Sequence, residues 1–378
     1  MNSKWEHRKI GDVCIVERGG SPRPIDQYIT NDANGINWIK IGDTSESMYI
    51  TETAQKIKPE GMKKSRYVQP GDFLLSNSMS FGRPYILKTD GCIHDGWLVL
   101  RDKNSFFDKR FLYYYLSAKP TYEKFKMIAV GGVVNNLNIE MVRKISVPVP
   151  CKAEQIEIAN LLDIVNRIIL KRKQTLQKLD ELVKARFVEM FGMPGTDTKG
   201  WGLQYLGTCC ELNPKKGTDK RLVSGLSVSF VPMPAVSESG KIDASQIKAY
   251  DEVKAGFTYF AENDVLFAKI TPCMENGKGA VAVGLCNNIG FGSTEFHILR
   301  PINNKSNPYW LYSLTSFDAF RKDAADNMTG SAGQRRVPAV FLEKYKVTLP
   351  PIELQNQFAA FVEQTDKSKL LQFFCFPT

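Results

Sequence analysis

The sequence predicts an α+β protein in which two repeated mixed α/β units are joined by a long coiled-coil helix. Three observations predict this fold. Four sequence blocks occur twice in the same order, short alternating segments bounded by turn residues fill each copy, and one long stretch between the copies lacks glycine and proline. The predicted segments are a first unit over 1–150, a central helix over 151–193, a second unit over 194–350 and a shortened second helix over 351–378.

The repeat is visible at both ends of each unit. "WEHRKIGDVCIVERGGSP" begins at Trp5 and "WGLQYLGTCCELNPKKGT" begins at Trp201. "VPVPCKAEQIEIANLLD" and "VTLPPIELQNQFAAFVE" follow at Val147 and Val347, and two further pairs of blocks lie between them. Four blocks in one order, each pair roughly 200 residues apart, indicate a duplicated unit.

Within each unit, a few segments have a clear local signal. "GDFLLS" and "NDVLFAK" are predicted strands, because apolar residues follow turn residues there. "FLYYYLSAKPTYEKF" and "NPYWLYSLTSFDAFRKDA" are predicted to form a short helix in each unit, and in the second copy Asn307 suits the N-cap and Pro308 the first helical position. The signals predict strands followed by a helix in both copies.

The stretch between the units predicts one continuous helix. From Ala153 to Phe191 there is no glycine or proline, and the apolar residues follow steps of three and four, which is typical of a heptad seam. A helix of about 39 residues would be about 58 Å long and could not bury such a seam alone. It needs a partner helix, in this chain or another. We expect an antiparallel pair with the helix of the second repeat, which has at most about 28 residues and an apolar ending, "LLQFFCFPT"; the alternative is a plain domain linker with incidental periodicity. The predicted pairing residues are Leu162, Val165, Ile169, Leu176, Leu179, Val183 and Met190, with Arg172 and Arg186 at two further seam positions.

The composition favours a polyanionic partner. The formal net charge is +10 and the pI is about 9.0, which favours nucleic acid first and a membrane surface second. No apolar run approaches the roughly 20 residues needed to cross a bilayer, no basic amphipathic helix indicates membrane binding, and the N-terminus is polar, so we expect a cytoplasmic protein without membrane association.

No sequence motif indicates catalysis or a metal. The eight cysteines form no CxxC pair and only three histidines occur, so reduced, mostly buried thiols are the expectation. A complete P-loop, a GxGxxG turn, GxSxG and HExxH are absent. "NPYW" is similar to the tetrapeptide of DNA amino-methyltransferases but opens a helix, and the carboxylates of "YDEVK" are interpreted as surface charge. We therefore expect a binding protein with no catalytic or metal-binding residues.

With these features in view, the chain resembles the specificity subunit of type I restriction–modification systems. The resemblance rests on "PGDFLLS", "NDVLFAKITPCMENGKGA", "GSTEFHILRP" and "TGSAGQRRVP", together with a proline-led helix start that occurs twice. That start has Pro150, Glu154, Gln155, Ile158 and Ala159 in the first copy and Pro350, Leu354, Gln355, Phe358 and Ala359 in the second. The resemblance covers nearly the whole chain, but the second helix is shorter than in a typical member.

The resemblance implies a division of labour. Each unit would be a target recognition domain that reads one half of a split sequence in double-stranded DNA. The helices would set the gap between the halves and dock two methyltransferase subunits, which motor-nuclease subunits then join. The chain itself would hold no cofactor, since S-adenosylmethionine, ATP and Mg belong to the partner subunits.

Loops with basic, amide and small residues are the predicted DNA contacts, because such side chains meet phosphates and base edges. In the first unit the segments are "RGGSPRP", "SNSMSFGR" and "GGVVNNLN", and in the second "NPKK", "KITPCMENGK" and "TGSAGQRR". The predicted contact residues are Arg18, Arg23, Ser76, Asn77, Arg83, Asn135, Asn136, Lys215, Lys216, Lys269, Thr271, Asn276, Lys278, Ser331, Gln334, Arg335 and Arg336. His94 and His297 are instead predicted to be hydrogen-bonded structural residues.

Two other functions are compatible with the same sequence features. The chain could be the recognition part of a fused methyltransferase–nuclease, which binding of S-adenosylmethionine would indicate. It could also be a coiled-coil interaction scaffold that binds no DNA, which retention of a partner protein without DNA would indicate.

Overall fold

The computed structural model describes residues 5–77, 82–129, 136–331 and 333–374. The chain forms two compact units, unit 1 over residues 1–170 and unit 2 over residues 171–378. The division falls inside the central helix, so each half of that helix packs with its own unit. The sequence predicts this helix as a separate segment, 151–193, between the two units.

Unit 1 contains two five-stranded sheets and one two-stranded ribbon in its described part. Its strands are β1 His7–Lys9, β2 Cys14–Arg18, β3 Ile29–Thr30, β4 Ile36–Ile39, β5 Tyr49–Ile50, β6 Gln55–Ile57, β7 Arg66–Val68, β8 Phe73–Ser76, β9 Pro84–Leu87, β10 Gly91–Ile93, β11 Trp97–Asp102 and β12 Ser146–Pro148. Its helices are α1 Ile10–Val13, α2 Lys109–Ser117, α3 Lys119–Ala129, α4 Ile139–Arg143 and the first half of α5 Lys152–Phe191. The sheet orders are β3-β6-β4-β10-β7 and β2-β11-β8-β9-β5.

The core of unit 1 lies on both faces of the sheet that contains β8. Phe73 and Leu75 pack in the cluster that includes the helices, and Leu74 packs in the cluster toward the other sheet. This alternation follows from the two-residue period of a strand, which sends successive side chains to opposite faces. The predicted strand in "GDFLLS" is therefore confirmed, with both of its faces buried.

Unit 2 repeats the plan with two four-stranded sheets and a ribbon in its described part. Its strands are β13 Leu203–Tyr205, β14 Cys210–Leu212, β15 Ser227–Val231, β16 Ile247–Ala249, β17 Thr258–Ala261, β18 Val265–Ala268, β19 Gly279–Val281, β20 Ile289–Gly292, β21 Phe296–Pro301 and β22 Lys346–Thr348. Its helices are α6 Leu206–Cys209, α7 Tyr250–Val253, α8 Pro308–Ser316, α9 Asp318–Asp326, α10 Ala339–Lys344 and α11 Ile352–Phe374. The sheet orders are β14-β21-β18-β19 and β16-β15-β20-β17.

The central strands of the two units are held in the same way by an ion pair. Arg101 on β11 contacts Asp72, which precedes β8, at 3.0 Å. Arg300 on β21 makes the equivalent contact with Asp264, which precedes β18, at 2.7 Å. Asp264 is almost fully buried, and its two oxygens accept from separate guanidinium nitrogens. The recurrence of this pair is structural evidence for the duplication.

The prediction of a single helix in each unit is wrong in one respect, because two consecutive helices occupy each predicted stretch. α2 and α3 are separated at Ala118, and α8 and α9 at Phe317, where the backbone is extended in both cases. Pro120 accompanies the first break, but no proline accompanies the second, so the break belongs to the fold. The predicted start of α8 is confirmed, since the Asn307 side chain accepts from Tyr309 N at 2.9 Å.

The central helix α5 is confirmed, and only half of its seam is covered. Leu162, Val165 and Ile169 are 37%, 51% and 49% exposed, so among the described residues no helix of this chain covers them, and their pairing with a helix of another chain stays a prediction. Leu176, Leu179, Val183 and Met190 are half-buried, as are the seam positions Arg172 and Arg186. α5 ends where Gly192 takes a positive φ and donates to Val188 O at 2.8 Å, which is a glycine cap.

Within unit 2, α11 runs antiparallel to the second half of α5. The Phe358 ring lies 5.4 Å from the Phe191 ring, and further along α11 Lys369 Nζ lies 2.8 Å from Asp180. Later residues of α11 therefore meet earlier residues of α5. The predicted antiparallel pair forms over this part of the two helices.

Candidate nucleic-acid interface

In unit 2, two of the predicted contact segments are hydrogen-bonded to each other at the end of the central strand. β18 ends at Ala268, and the carbonyl oxygen of the next residue, Lys269, accepts from Val337 N at 2.9 Å. Thr271 donates to the Arg335 carbonyl oxygen through both its backbone nitrogen at 3.0 Å and its hydroxyl at 3.2 Å. Segments 269–278 and 329–337 therefore form one surface, which we call the unit 2 rim together with 213–217.

His297 connects the third predicted segment to this rim. Its Nε2 lies 2.8 Å from the Val337 carbonyl oxygen, and its Nδ1 lies 3.1 Å from the Asn213 Nδ2. Burial lowers the pKa of the His297 imidazole, so the ring is neutral, donating to Val337 and accepting from Asn213. The prediction of a hydrogen-bonded structural histidine is confirmed here.

The segment "TGSAGQRR" forms a narrow turn. Thr329 and Arg336 face each other in an antiparallel bridge, and Gln334 N donates to the Ser331 carbonyl oxygen at 3.0 Å. Gly330 has φ of 117°, a conformation that residues with a Cβ rarely adopt. The glycine therefore has a backbone role, and the turn presents Ser331 and Gln334 as exposed polar side chains.

Both arginines of the turn are held by carboxylates. Arg336 contacts Glu295 through two nitrogens, at 2.9 Å and 2.8 Å, and Arg335 lies 3.4 Å from Glu275. The hydrogen bond from Arg336 lowers the pKa of Glu295, so the pair is charged on both sides. Burial lowers the pKa of Lys269 beside them. The bidentate pair fixes the direction of the Arg336 guanidinium at the rim.

A cavity of about 590 Å³ opens beside His297 in unit 2. Basic, aromatic and amide side chains border it, a combination that suits phosphate and the faces of bases. The lining residues include Lys215, Lys216, Lys254, Lys269, Phe257, Tyr259, Phe296 and Asn213. The Lys216 amino group contacts the Lys254 carbonyl oxygen, which ties the loops on either side of the cavity together.

Two further predicted contact residues of the unit 2 rim differ in their solvent exposure and in their contacts within the protein. Asn276 is exposed at the tip of its loop. Lys278 is half-buried, and its amino group donates to the Met233 carbonyl oxygen at 3.3 Å. The structure therefore gives Lys278 a supporting contact within the protein, whereas Asn276 is presented to solvent.

Unit 1 has the same backbone joint at the end of its central strand. β8 ends at Ser76, and the carbonyl oxygen of the next residue, Asn77, accepts from Leu137 N at 2.9 Å. Asn77 N donates to the Gly96 carbonyl oxygen at 2.9 Å, as Lys269 N does to that of Glu295 at 2.9 Å. The described parts of 18–24, 76–83 and 131–138 thus meet as the unit 1 rim.

Asp95 is the centre of the unit 1 rim. Its carboxylate accepts from Ser21 Oγ at 2.9 Å and lies 3.5 Å from Arg23 Nη2, and its carbonyl oxygen accepts from Arg18 Nε at 3.1 Å and Asn77 Nδ2 at 2.9 Å. Burial opposes ionisation, but the Ser21 hydrogen bond and the nearby cations outweigh it and lower the pKa of Asp95. The carboxylate therefore stays charged and gathers both predicted arginines.

Close backbone packing and a histidine complete this rim. A Cβ at Gly19 would overlap the His94 carbonyl oxygen, so only glycine lets this loop lie against the strand end. Gly96 N donates to the His94 Nδ1 at 2.9 Å, which confirms the structural role predicted for that histidine.

Some predicted residues of unit 1 do not face solvent. Ser76 and Asn77 are each 1% exposed, so the prediction that their side chains contact DNA is wrong. Ser76 is the last residue of β8, and its Oγ accepts from Arg83 N at 3.0 Å. Asn77 follows it, and its Nδ2 donates to the Asp95 carbonyl oxygen. Arg83 is exposed and borders a second cavity of about 540 Å³. Asn135 lies outside the described residues, and its neighbour Asn136 is half-buried.

Sequence reasoning missed the acidic residues of the two rims. Asp95 and Glu295 stand just before β11 and β21, but Glu295 matches Gly96 in the backbone pattern, so the two carboxylates do not align. A carboxylate placed at the start of a repeated strand is the signal that could have identified both residues.

The charged segment "YDEVK" contributes to the unit 2 cavity in a way that the sequence did not indicate. Lys254, its last residue, borders the cavity. Asp251 accepts from Gly225 N and Ser224 Oγ, each at 2.8 Å, and these bonds hold a surface loop. The aspartate of this segment therefore has a structural role, while its lysine belongs to the candidate site.

Metal sites and membrane spans are absent from the residues that the structure describes. No group of three or more His, Cys, Asp or Glu there could hold a metal ion. Among the same residues, no helix combines the length and apolarity needed to cross a bilayer. Seven of the eight cysteines lie in this part of the chain, all as free thiols.

Comparison with known proteins gives the same family for both halves of the chain. The family model described as the type I restriction modification DNA specificity domain matches residues 2–181 and 226–372. The chain is 36% identical over 202 residues to the type I restriction enzyme EcoAI specificity subunit of Escherichia coli. That match covers 53% of this chain and 32% of the relative, so the chain spans about a third of that protein's length.

Other relatives match over most of their length at lower identity. The type I restriction enzyme MjaIX specificity subunit of Methanocaldococcus jannaschii is 21% identical over 387 residues, covering 95% of this chain and 86% of the relative. A crystal structure of a type I restriction–modification S subunit from M. genitalium has a TM-score of 0.53 at 14% identity, covering 98% of this chain and 91% of that one. At this identity the structural match shows a shared fold.

Proposed function

Because the chain belongs to the type I restriction modification DNA specificity family, we propose that it is the sequence-specific DNA-binding subunit of a type I restriction–modification complex. Each unit reads one half of a bipartite duplex target. α5 and α11 set the gap between the halves and dock two methyltransferase subunits, and motor-nuclease subunits complete the assembly. The chain contributes recognition, while S-adenosylmethionine, ATP and Mg are held by the partners.

The observation that supports this proposal most is one backbone joint with two different sets of side chains. Leu137 N to Asn77 O and Val337 N to Lys269 O are the same bond in the two units. Around it, unit 1 presents Arg18 and Arg23 gathered by Asp95, whereas unit 2 presents lysines and Arg336 held by Glu295. A duplicated frame with different rim chemistry suits a protein that reads two different half-targets.

Charge supports the choice of duplex DNA as the ligand. The chain has 50 lysines and arginines against 40 acidic residues, and lysines border the cavity of the unit 2 rim. Such residues neutralise phosphates and release counterions, which makes the affinity fall steeply with salt. Exposed Asn276 and Gln334 lie among these cations and suit adenine edges.

Methylation mapping in cells tests the proposal directly. The chain is expressed with its methyltransferase partner, and genomic DNA is sequenced for methylated adenine. We expect one bipartite motif that disappears when the chain is omitted. Purified complex should bind a duplex with that motif at low salt and lose affinity as salt rises.

Four other results would contradict the proposal. Methylation without a shared motif, or a motif that persists without the chain, would show that the chain does not specify the target. Binding of S-adenosylmethionine by the isolated chain would favour a fused enzyme. A stable partner complex that retains no DNA at any salt concentration would favour an interaction scaffold.

A further inference from the structure

Each unit contains one fully buried glutamine at the start of its long helix. Gln155 lies in the first turn of α5 and Gln355 in the first turn of α11, and both are 0% exposed. An amide side chain is rarely buried unless each of its polar atoms has a partner. The hydrogen bonds of the two residues therefore identify what each glutamine connects.

Gln155 joins three separate parts of unit 1. Its Oε1 accepts from Asp108 N at 2.7 Å, at the start of α2. Its Nε2 donates to the carbonyl oxygens of Phe106 at 2.8 Å and Pro150 at 2.9 Å. One side chain thus links α5 to the loop before α2 and to the segment that follows β12.

Gln355 makes the same three bonds in unit 2. Its Oε1 accepts from Asn307 N at 2.9 Å, at the start of α8. Its Nε2 donates to the carbonyl oxygens of Lys305 at 3.0 Å and Pro350 at 2.8 Å. Every partner is a backbone atom, so the joint does not depend on the side chains that differ between the units.

The chemistry of this joint requires glutamine. The amide supplies one acceptor and two donor hydrogens on a side chain of fixed length, and all three are used. Glutamate would lose both donors, and methionine would fill the space without any bond. Since the Pro150 and Pro350 carbonyls belong to buried residues, a substitution removes their hydrogen bond where water does not readily replace it.

We propose that Gln155 and Gln355 are positioning residues that fix the direction of each recognition unit on its long helix and thereby set the gap between half-targets that the protein accepts. This rests on the proposed function and goes beyond it. In a bipartite reader, a unit that pivots at the start of its helix meets half-targets at more than one separation. The glutamine clamp, defined as Gln155 or Gln355 with its three backbone partners, removes that freedom.

The test measures gap selectivity in the full complex. Cells express the chain with its methyltransferase partner and carry a plasmid library in which the mapped target has its gap lengthened or shortened by one or two base pairs. For Gln155→Met and Gln355→Met, we expect the ratio of methylation at the native gap to that at neighbouring gaps to fall about tenfold, equivalent to about 1.4 kcal/mol. Gln357→Met is the matched control, because Gln357 is exposed two residues further along α11.

The outcomes separate this proposal from the function on which it rests. Methylation that falls equally at every gap, with the ratio unchanged, would assign the glutamines to stability alone and overturn the proposal. If the unsubstituted chain directs no bipartite methylation, the proposed function itself fails. Methylation at any gap shows that a variant has folded and assembled. Where the methionine variants give none, Gln155→Asn and Gln355→Asn keep the amide with a shorter reach, and an unchanged ratio in them would also overturn the proposal.

Discussion

The two units hold their long helices with the same glutamine clamp and then diverge one or two turns later. In unit 1, Asp163 on α5 accepts from Arg110 Nη1 and from the Tyr114 hydroxyl, each at 2.6 Å. In unit 2, the corresponding region is an aromatic core in which the Phe358 ring lies 5.5 Å from Phe187 and 5.4 Å from Phe191. We call these the polar lock of unit 1 and the aromatic core of unit 2.

The difference follows from what covers each helix. α11 packs against α8 and against the second half of α5, so its inner residues leave water and favour apolar partners. The first half of α5 has exposed leucine, valine and isoleucine on its other flank among the described residues. Arg110 and Asp163 therefore remain partly hydrated, with 28% and 24% of their side chains exposed, and the desolvation cost of an ion pair stays small. The same glutamine clamp is therefore followed by an ion pair in unit 1 and by apolar packing in unit 2.

The largest expected effect is loss of the aromatic core. Phe358→Ala should lower the free energy of unfolding of unit 2 by about 3–5 kcal/mol, because a fully buried ring leaves a cavity among rings that cannot close it. Ile158 occupies the equivalent, half-buried position in unit 1, so Ile158→Ala should cost only about 1 kcal/mol. Both free-energy changes are measured by urea unfolding, with hydrogen exchange used to monitor each unit separately.

A control within α11 sharpens this test. Phe361 is half-buried, with the Arg186 guanidinium 5.9 Å from its ring centre. Phe361→Ala should cost clearly less than Phe358→Ala. Equal losses would mean that burial in the core does not decide the stability of this helix.

The repeat and the long helix were readable from the sequence, since both depend on patterns along the chain. α5 was expected from Ala153 and begins at Lys152, and the start of α8 at Asn307 was predicted from its cap. Whether a seam is covered depends on how far its partner reaches, which periodicity does not encode. Leu162 and Leu176 therefore looked alike in sequence and differ in the structure.

The candidate site was predictable by segment and less so by side chain. The described parts of the six loops do gather into two rims, because strand ends of a repeated sheet bring their loops together. The burial of Asn77 was missed because this residue, the first after β8, is held inward by the hydrogen bond from its Nδ2 to the Asp95 carbonyl oxygen, which the turn signal does not indicate. The clamp residues stood within the repeated helix start, but two of the three backbone partners of each lie 47 to 50 residues away, which no side-chain pattern indicates.

The polar lock should produce an intermediate effect. Asp163→Asn removes the charge that Arg110 and Tyr114 share, and should cost about 1 kcal/mol of local stability, since the pair is partly exposed and screened by solvent. The loss should appear as faster hydrogen exchange in the first half of α5, with the second half unchanged. Glu157→Gln, which neutralises an exposed carboxylate on the same helix, is the control. High salt should weaken the lock and leave the aromatic core of unit 2 unaffected.

Substitution of the two arginines in the 329–337 turn of unit 2 should weaken DNA binding and leave folding intact. Replacing Arg335 and Arg336 by alanine should weaken duplex binding several-fold and reduce the slope of affinity against salt by about one for each phosphate that is no longer neutralised. Arg336→Ala also leaves Glu295 as an uncompensated negative charge at the rim. Adding Glu295→Gln should therefore restore part of the affinity.

Anisotropy with the mapped duplex measures these variants in the assembled complex. Lys199→Ala removes an exposed positive charge outside the three segments of the unit 2 rim and is the control. If the double arginine variant binds normally at all salt concentrations, the turn has only a structural role. If the double arginine variant loses affinity and Glu295→Gln restores none of it, the proposed repulsion by Glu295 is wrong.

The smallest expected effect is a pH dependence confined to unit 2. The folded-state pKa of His297 lies below its usual value of 6.5, chiefly because the ring is buried. A base with a lowered pKa contributes stability that is fully present above the unfolded pKa and is lost as pH falls through the folded pKa. Glu295 and Asp95, whose pKa values are also lowered, lose their contributions only at more acidic pH, below the ordinary carboxyl pKa of about 4.3.

Unit 2 should therefore lose stability in urea as pH falls from 8 to 5. His297→Gln keeps a donor for Val337 and an acceptor for Asn213, and should flatten that dependence. His7→Gln, at an exposed histidine of unit 1, should leave it unchanged, and an equally steep dependence in the His297 variant would show that another group of unit 2 titrates in this range.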